Sequence, residues 1–159
     1  MTIAIGDTLP TVTLVKATED GPDQVSTDAF FKGRTVALFA VPGAYTPTCS
    51  AQHLPGFLSK GDALRAKGVD EIACTAVNDA FVLAAWAKAN GAGGVTMLAD
   101  GNADLARALG LDTDASRFGM GTRSRRYAML VEDGTVRQLF VDEPGEFKVS
   151  SAEHLLAAM

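Results

Sequence analysis

Thr35-Val36-Ala37-Leu38-Phe39-Ala40-Val41 runs directly into Pro42-Gly43-Ala44-Tyr45-Thr46-Pro47-Thr48-Cys49. The first seven residues are almost wholly apolar, the pattern of a strand covered on both faces. The loop behind them leads into a helix expected from about Pro47, broken or kinked at Pro55-Gly56 and resuming to Lys67, with Gly68 as its stop. A buried strand that leaves through a loop into a helix is where α/β proteins gather their chemistry.

On the N-terminal side, Thr11–Val15 reads as a strand and Ser26–Phe31 as a short helix closed by Gly33. On the C-terminal side the pattern alternates. Glu71–Val77 is a strand, Ala80–Asn90 a helix, Val95–Leu98 a strand and Ala103–Leu109 a helix ending at Gly110. Tyr127–Val131 and Val136–Asp142 flank Asp133-Gly134, a strong hairpin signal. Ser151–Ala158 closes the chain as a helix, with Ser150 or Ser151 as its cap and Glu153 near its positive end. Strands alternating with helices, then a hairpin and a helix, make an α/β architecture of the thioredoxin-like kind: a central mixed β-sheet flanked by helices.

No repeat, low-complexity tract or linker-like shift divides the 159 residues, so 1–159 is expected to be a single domain. Fourteen Lys and Arg against 19 Asp and Glu, a net charge of −5, argue against nucleic acid or an anionic membrane as partner. The longest apolar stretch, around Val36–Val41, is far short of a membrane span, and the N-terminus has no signal-peptide pattern. Cys49 and Cys74 are too few for a disulfide scaffold, and no Cys-x-x-Cys occurs. A reducing cytoplasm is the expected setting.

Cys49 falls in the expected first turn of the helix after the apolar strand. Unpaired backbone N–H groups and the helix dipole there favour a thiolate over a thiol. The alternative is a half-buried structural cysteine. His53, four residues on, shares the helix face with Cys49 and is expected to be packed or hydrogen-bonded. Two candidate ligands are too few for a metal, and no acid is placed to orient a Cys–His hydrolase. His154 is a helix-end residue without a role. Cys74, in Ile72-Ala73-Cys74-Thr75-Ala76, is a buried strand residue. Gly119-Met120-Gly121 begins like a dinucleotide fingerprint but lacks the third glycine and precedes a strand.

The segment Pro42–Cys49 resembles the Pro-x-x-x-Thr-x-x-Cys signature of peroxiredoxins, and more narrowly their type II, or type five, group. The resemblance continues through Ser50–Phe57, Val77–Val82, Trp86, Arg123–Met129 and Glu132-Asp133-Gly134. It implies that Cys49 attacks the peroxide O–O bond and becomes a sulfenic acid. It implies that Thr46 hydrogen-bonds the sulfur and the incoming peroxide, and that Pro42 shields the site and shapes the loop. Arg126, immediately before the expected Tyr127 strand, would steady the thiolate and polarise the leaving oxygen with its planar fork. Arg125 would point to the opposite face.

Type five members with a resolving cysteine carry it near the C-terminus, where Phe147–Ala152 has none. The resemblance therefore implies a one-cysteine enzyme without metal or organic cofactor. It would reduce hydrogen peroxide and organic hydroperoxides and be restored by an external thiol, glutathione with glutaredoxin or thioredoxin. The rival from another class is a redox-sensing module that relays oxidation to a partner protein. Apolar groups in the loops at the same end, Tyr45 and Phe118 among them, together with the resemblance, imply an isologous homodimer.

Overall fold

The computed structural model describes residues 2–159. Its seven-stranded sheet has the order β2-β1-β5-β4-β3-β8-β9. The strands are β1 (Thr13–Thr18), β2 (Gly21–Ser26), β3 (Thr35–Ala40), β4 (Glu71–Ala76), β5 (Thr96–Ala99), β8 (Tyr127–Glu132) and β9 (Thr135–Val141). β3, β4 and β5 are parallel, whereas β1, β8 and β9 run antiparallel to their neighbours, so the sheet is mixed. The helices are α1 (Thr27–Phe31), α2 (Leu54–Ser59), α3 (Gly61–Ala66), α4 (Ala80–Ala89), α5 (Asp104–Leu109) and α6 (Ala152–Ala157). A separate two-stranded ribbon pairs β6 (Asp112–Asp114) with β7 (Thr122–Ser124).

The apolar run that opened the reading is β3, and its alternation explains its composition. Ala37, Phe39 and Val41 join one core, with Leu54, Phe57, Leu83 and Trp86. Val36, Leu38 and Ala40 join the other, with Leu14, Phe31, Leu105 and Leu109. With a core on each face, neither set of positions tolerates a polar side chain. Asp133 (φ 48°) and Gly134 (φ 80°) form the turn between β8 and β9, both left-handed as a two-residue hairpin of type I′ requires. Ser26, Asp79 and Ser151 cap α1, α4 and α6 through their side-chain oxygens.

Three regions differ from the sequence expectation. β1 is shifted to Thr13–Thr18, and β2, unexpected from Gly-Pro-Asp-Gln, turns back along it. Proline is tolerated there because β2 is the edge of the sheet. The ribbon strands β6 and β7 have three residues each, too short to leave a periodic pattern. The helix does begin at Pro47 but does not break at Pro55-Gly56. Cys49–His53 forms a π-helical turn in which the Leu54 N–H reaches the Cys49 carbonyl. This wider turn puts Pro55 in the first turn of α2, where its missing N–H is tolerated, and the break falls at Lys60 instead.

Among the described residues, no helix is long and apolar enough to cross a membrane.

Candidate active site

The register of the sheet builds the site. β3 delivers its C-terminal end, and β8 runs antiparallel beside it with Ala40 opposite Tyr127. Arg126, the residue before β8, therefore arrives beside the loop that leaves β3. β9 pairs Val141 with Tyr127, which brings Asp142 to the same end; its N–H donates to the Arg126 carbonyl over 2.9 Å.

The Pro42–Thr46 loop is held from several sides. The Asn78 side chain accepts the Ala44 N–H at 2.9 Å, tying the loop to the turn after β4. Gly43 packs so closely that a Cβ would meet an Arg123 nitrogen at 3.0 Å and the Thr46 methyl at 3.3 Å. Pro42 is half-buried, and its carbonyl faces Arg123 Nη1 at 3.5 Å. Tyr45 holds a left-handed φ of 66°, a strained conformation for a non-glycine residue, with its ring exposed. From the helix side, Trp86 Nε1 donates to the Ser50 hydroxyl at 2.9 Å, fixing the turn that carries Cys49.

Cys49 is fully buried. Arg126 Nη2 donates to its sulfur at 3.1 Å, and Nη1 donates to His53 Nδ1 at 2.9 Å. His53 Nε2–H in turn donates to the Ser150 carbonyl at 2.8 Å. Both ring nitrogens are thus committed, one accepting and one donating, which describes a neutral imidazole of fixed tautomer. Burial, followed by the Arg126 charge, pushes the His53 pKa down to about 3. Phe39, Phe57 and Phe147 surround the ring, with centroids 4.9, 5.6 and 5.0 Å away. A neutral acceptor can anchor a guanidinium without competing with the sulfur for its charge. Phe147 also lies 5.7 Å from the Arg126 guanidinium carbon.

The sequence-derived site residues come together, with one adjustment. The Thr46 hydroxyl donates to the Gly43 carbonyl at 2.7 Å rather than to the Cys49 sulfur. Its single proton is used in the turn, and its lone pairs remain free to accept. Arg125, expected on the opposite face, instead lines the same cleft as Arg126, but its guanidinium donates to the Asp142 carbonyl at 3.1 Å and faces Glu143 at 3.6 Å rather than the Cys49 sulfur. Cys74 lies in β4 between Phe39 and Met97, fully buried, and burial raises its pKa well above the ordinary thiol value. Asn78, Ser150 and Asp142 were not singled out from the sequence. Asn78 lies inside a stretch that carries the family resemblance, whereas by sequence Ser150 is only a candidate cap and Asp142 the end of a strand.

A cleft of about 230 Å³ opens beside the site, with Pro42, Thr48 and Arg126 in its wall beside Phe118 and Met120. Both cysteines are free. A buried sulfur held by a guanidinium that itself lines a small, partly apolar cleft suits a nucleophile for a small electrophile. Among the described residues, no group of three or more His, Cys, Asp and Glu could hold a metal ion.

The family model described as Redoxin matches residues 4–156. The chain is 52% identical to peroxiredoxin-2E-2, chloroplastic, of Oryza sativa subsp. japonica, over 99% of this chain and 73% of that protein. It is 45% identical to peroxiredoxin-2B of Arabidopsis thaliana, over 99% of this chain and 98% of that protein. Reduced Prx3 of Vibrio vulnificus, solved in complex with hydrogen peroxide, superposes with a TM-score of 0.95 at 51% identity and covers 99% of both chains.

Proposed function

This chain belongs to the redoxin family and is a peroxiredoxin, a thiol-dependent peroxidase, and from that premise we propose that Cys49 is its peroxidatic nucleophile. The observation that carries the proposal is the 3.1 Å hydrogen bond from Arg126 to the fully buried Cys49 sulfur. The thiolate attacks the terminal oxygen of hydrogen peroxide or an organic hydroperoxide. The S–O bond forms as the O–O bond breaks. The proton of the attacked oxygen passes to the departing alkoxide or hydroxide, which leaves as alcohol or water, and the sulfenate left on sulfur takes up a proton from solvent. Sulfur is oxidised to sulfenic acid by the two electrons the peroxide gains. Arg126 stabilises the charge that shifts from sulfur to the leaving oxygen. Thr46 accepts a hydrogen bond from the peroxide O–H with its free lone pair, and Pro42 excludes water from the loop side. The peroxide bound in the similar Vibrio vulnificus protein supports hydrogen peroxide as a substrate.

The sulfenic acid is returned by an external thiol. One thiol displaces water to give a mixed disulfide with Cys49, and a second releases the reduced enzyme as a disulfide of the two donors forms. Support for an external donor lies in Cys74, locked in a strand core, and in the cysteine-free Phe147–Ala152 segment. Glutathione with glutaredoxin, or thioredoxin, fills that role in a reducing compartment such as the cytoplasm. Residues 1–159 act as one domain, paired with a second copy through the exposed Tyr45 and Phe118. A steady-state peroxide-consumption assay with each donor system is the test. Sustained turnover that vanishes in Cys49→Ser is expected. A single stoichiometric oxidation without turnover under every donor, or full activity in Cys49→Ser, would overturn the assignment.

A further inference from the structure

The hydrogen bonds at Cys49 do not stop at His53. The Asp142 carboxylate is buried and gathers the end of the segment that follows β9. Its Oδ1 accepts the N–H groups of Lys148 and Val149 at 2.9 and 3.0 Å. Its Oδ2 accepts the Ser150 N–H at 3.1 Å and the Ser150 hydroxyl. All the donors come from three consecutive residues, so one carboxylate fixes the course of that backbone. Ser150 is itself fully buried, and its carbonyl is the acceptor that holds His53 Nε2. The same segment lays Phe147 against His53 and Arg126.

We propose that Asp142 is a positioning residue for the peroxidatic sulfur: by fixing Ser150 it fixes His53, and through His53 the guanidinium of Arg126. The inference rests on the reading that Arg126 and Cys49 carry the chemistry. A backbone carbonyl cannot be replaced by substitution, so the Ser150 link is best perturbed through the carboxylate that holds it. Capping the 148–150 backbone could in principle serve folding alone. The distinction lies in coupling. A positioning effect passes through His53 and disappears when His53 is absent, whereas a purely structural effect does not.

The test is single-turnover oxidation of the reduced protein by hydrogen peroxide, followed by the fluorescence of Trp86, the one tryptophan, which bonds to Ser50 beside Cys49. In Asp142→Asn one accepting oxygen becomes an NH2 group facing the Ser150 donors. The rate constant is expected to fall about tenfold, as loss of a buried hydrogen-bond arrangement does, and the pH profile of Cys49 alkylation to move to higher pH. In a His53→Ala background the same change is expected to add less than about a twofold loss, the limit set by independent behaviour. Should Asp142→Asn fail to fold, Ser150→Ala removes only the hydroxyl contact and is expected to give about a threefold loss that is likewise absent without His53.

Full additivity with His53→Ala, or an unchanged rate and alkylation profile in a folded Asp142→Asn protein, overturns the inference. Arg126→Ala separates it from the reading beneath it. If Arg126→Ala keeps full reactivity, that reading fails. If Arg126→Ala is inactive while Asp142→Asn behaves as wild type, only the present inference fails.

Discussion

Lowering the pH from 7 to 5 should weaken the folded state through His53. The unfolded imidazole has a pKa of 6.5, and in the fold burial and Arg126 lower it to about 3. Below pH 6.5 the unfolded chain binds a proton at this residue that the folded chain refuses. The stabilisation is therefore complete above pH 6.5 and is lost as the pH falls toward 3. Each pH unit inside that window is worth about 1.4 kcal/mol, so the loss is about 2 kcal/mol at pH 5 and about 3 kcal/mol at pH 4. The residue is fully buried, so solvent screening takes little from this figure.

The assay is urea unfolding of the reduced protein and of His53→Gln at both pH values. Glutamine cannot titrate, and its amide can accept from Arg126 while donating toward Ser150. The substitution should cost about 2 kcal/mol less at pH 5 than at pH 7, a relative midpoint shift of about 1 M urea. Other groups drop out of that difference. Asp142, whose carboxyl burial would raise but the Ser150, Val149 and Lys148 donors hold below the ordinary value, loses its contribution only at lower pH. Asp100, raised by burial, titrates in both proteins alike. A cost for His53→Gln that is the same at pH 5 and pH 7 would refute the account of a neutral, hydrogen-bonded imidazole.

Cys49→Ser should abolish peroxidase turnover while Cys74→Ser keeps most of it; equal losses would instead mark a Cys49–Cys74 disulfide cycle. Arg126→Lys should lower the rate with peroxide by well over tenfold, because lysine cannot reach the sulfur and His53 together with a planar fork, whereas Arg125→Lys should stay near wild type. The reverse pattern in steady-state kinetics would assign the role to Arg125. Light scattering of the reduced protein should give a dimer that Tyr45→Asp dissociates with loss of activity, since that residue also sits in the loop that bears Thr46. A Tyr45→Asp protein that stays dimeric and fully active would place the contact elsewhere.

The strand and loop at residues 35–49 were legible because two signals coincide there: a run buried on both faces, and a motif whose residue types chemistry constrains. Arg126 was legible through its place immediately before a strand. What stayed hidden was whatever depends on register. Asp142 lies opposite Arg126 only because β8 and β9 pair with Tyr127 against Val141. Ser150 reaches His53 across 97 residues of chain. A backbone carbonyl leaves no mark in the residue type that carries it. The π-helical turn was hidden for a related reason, since Pro55 advertises a break while the hydrogen-bond shift that absorbs it has no sequence signature. β2 was missed because an edge strand with one side to solvent need not be apolar.

The two cysteines show how far the surroundings outrank the residue. Both are fully buried and belong to the same apolar core on one face of the sheet. Burial alone keeps a thiol protonated, and at Cys74 that effect prevails, reinforced by Cys49 nearby and only opposed by the more distant charge of Arg126. Cys49 differs by a direct contact, the Arg126 donor at 3.1 Å. Arg126 is a guanidinium only 9% exposed, and the same packing that brings it to the sulfur supplies His53 as an acceptor for its other terminal nitrogen. The reactivity of Cys49 is therefore set by a residue 77 positions downstream that the antiparallel pairing of β3 and β8 delivers. Cys74, in the middle of β4, lies where the sheet register can deliver no such partner.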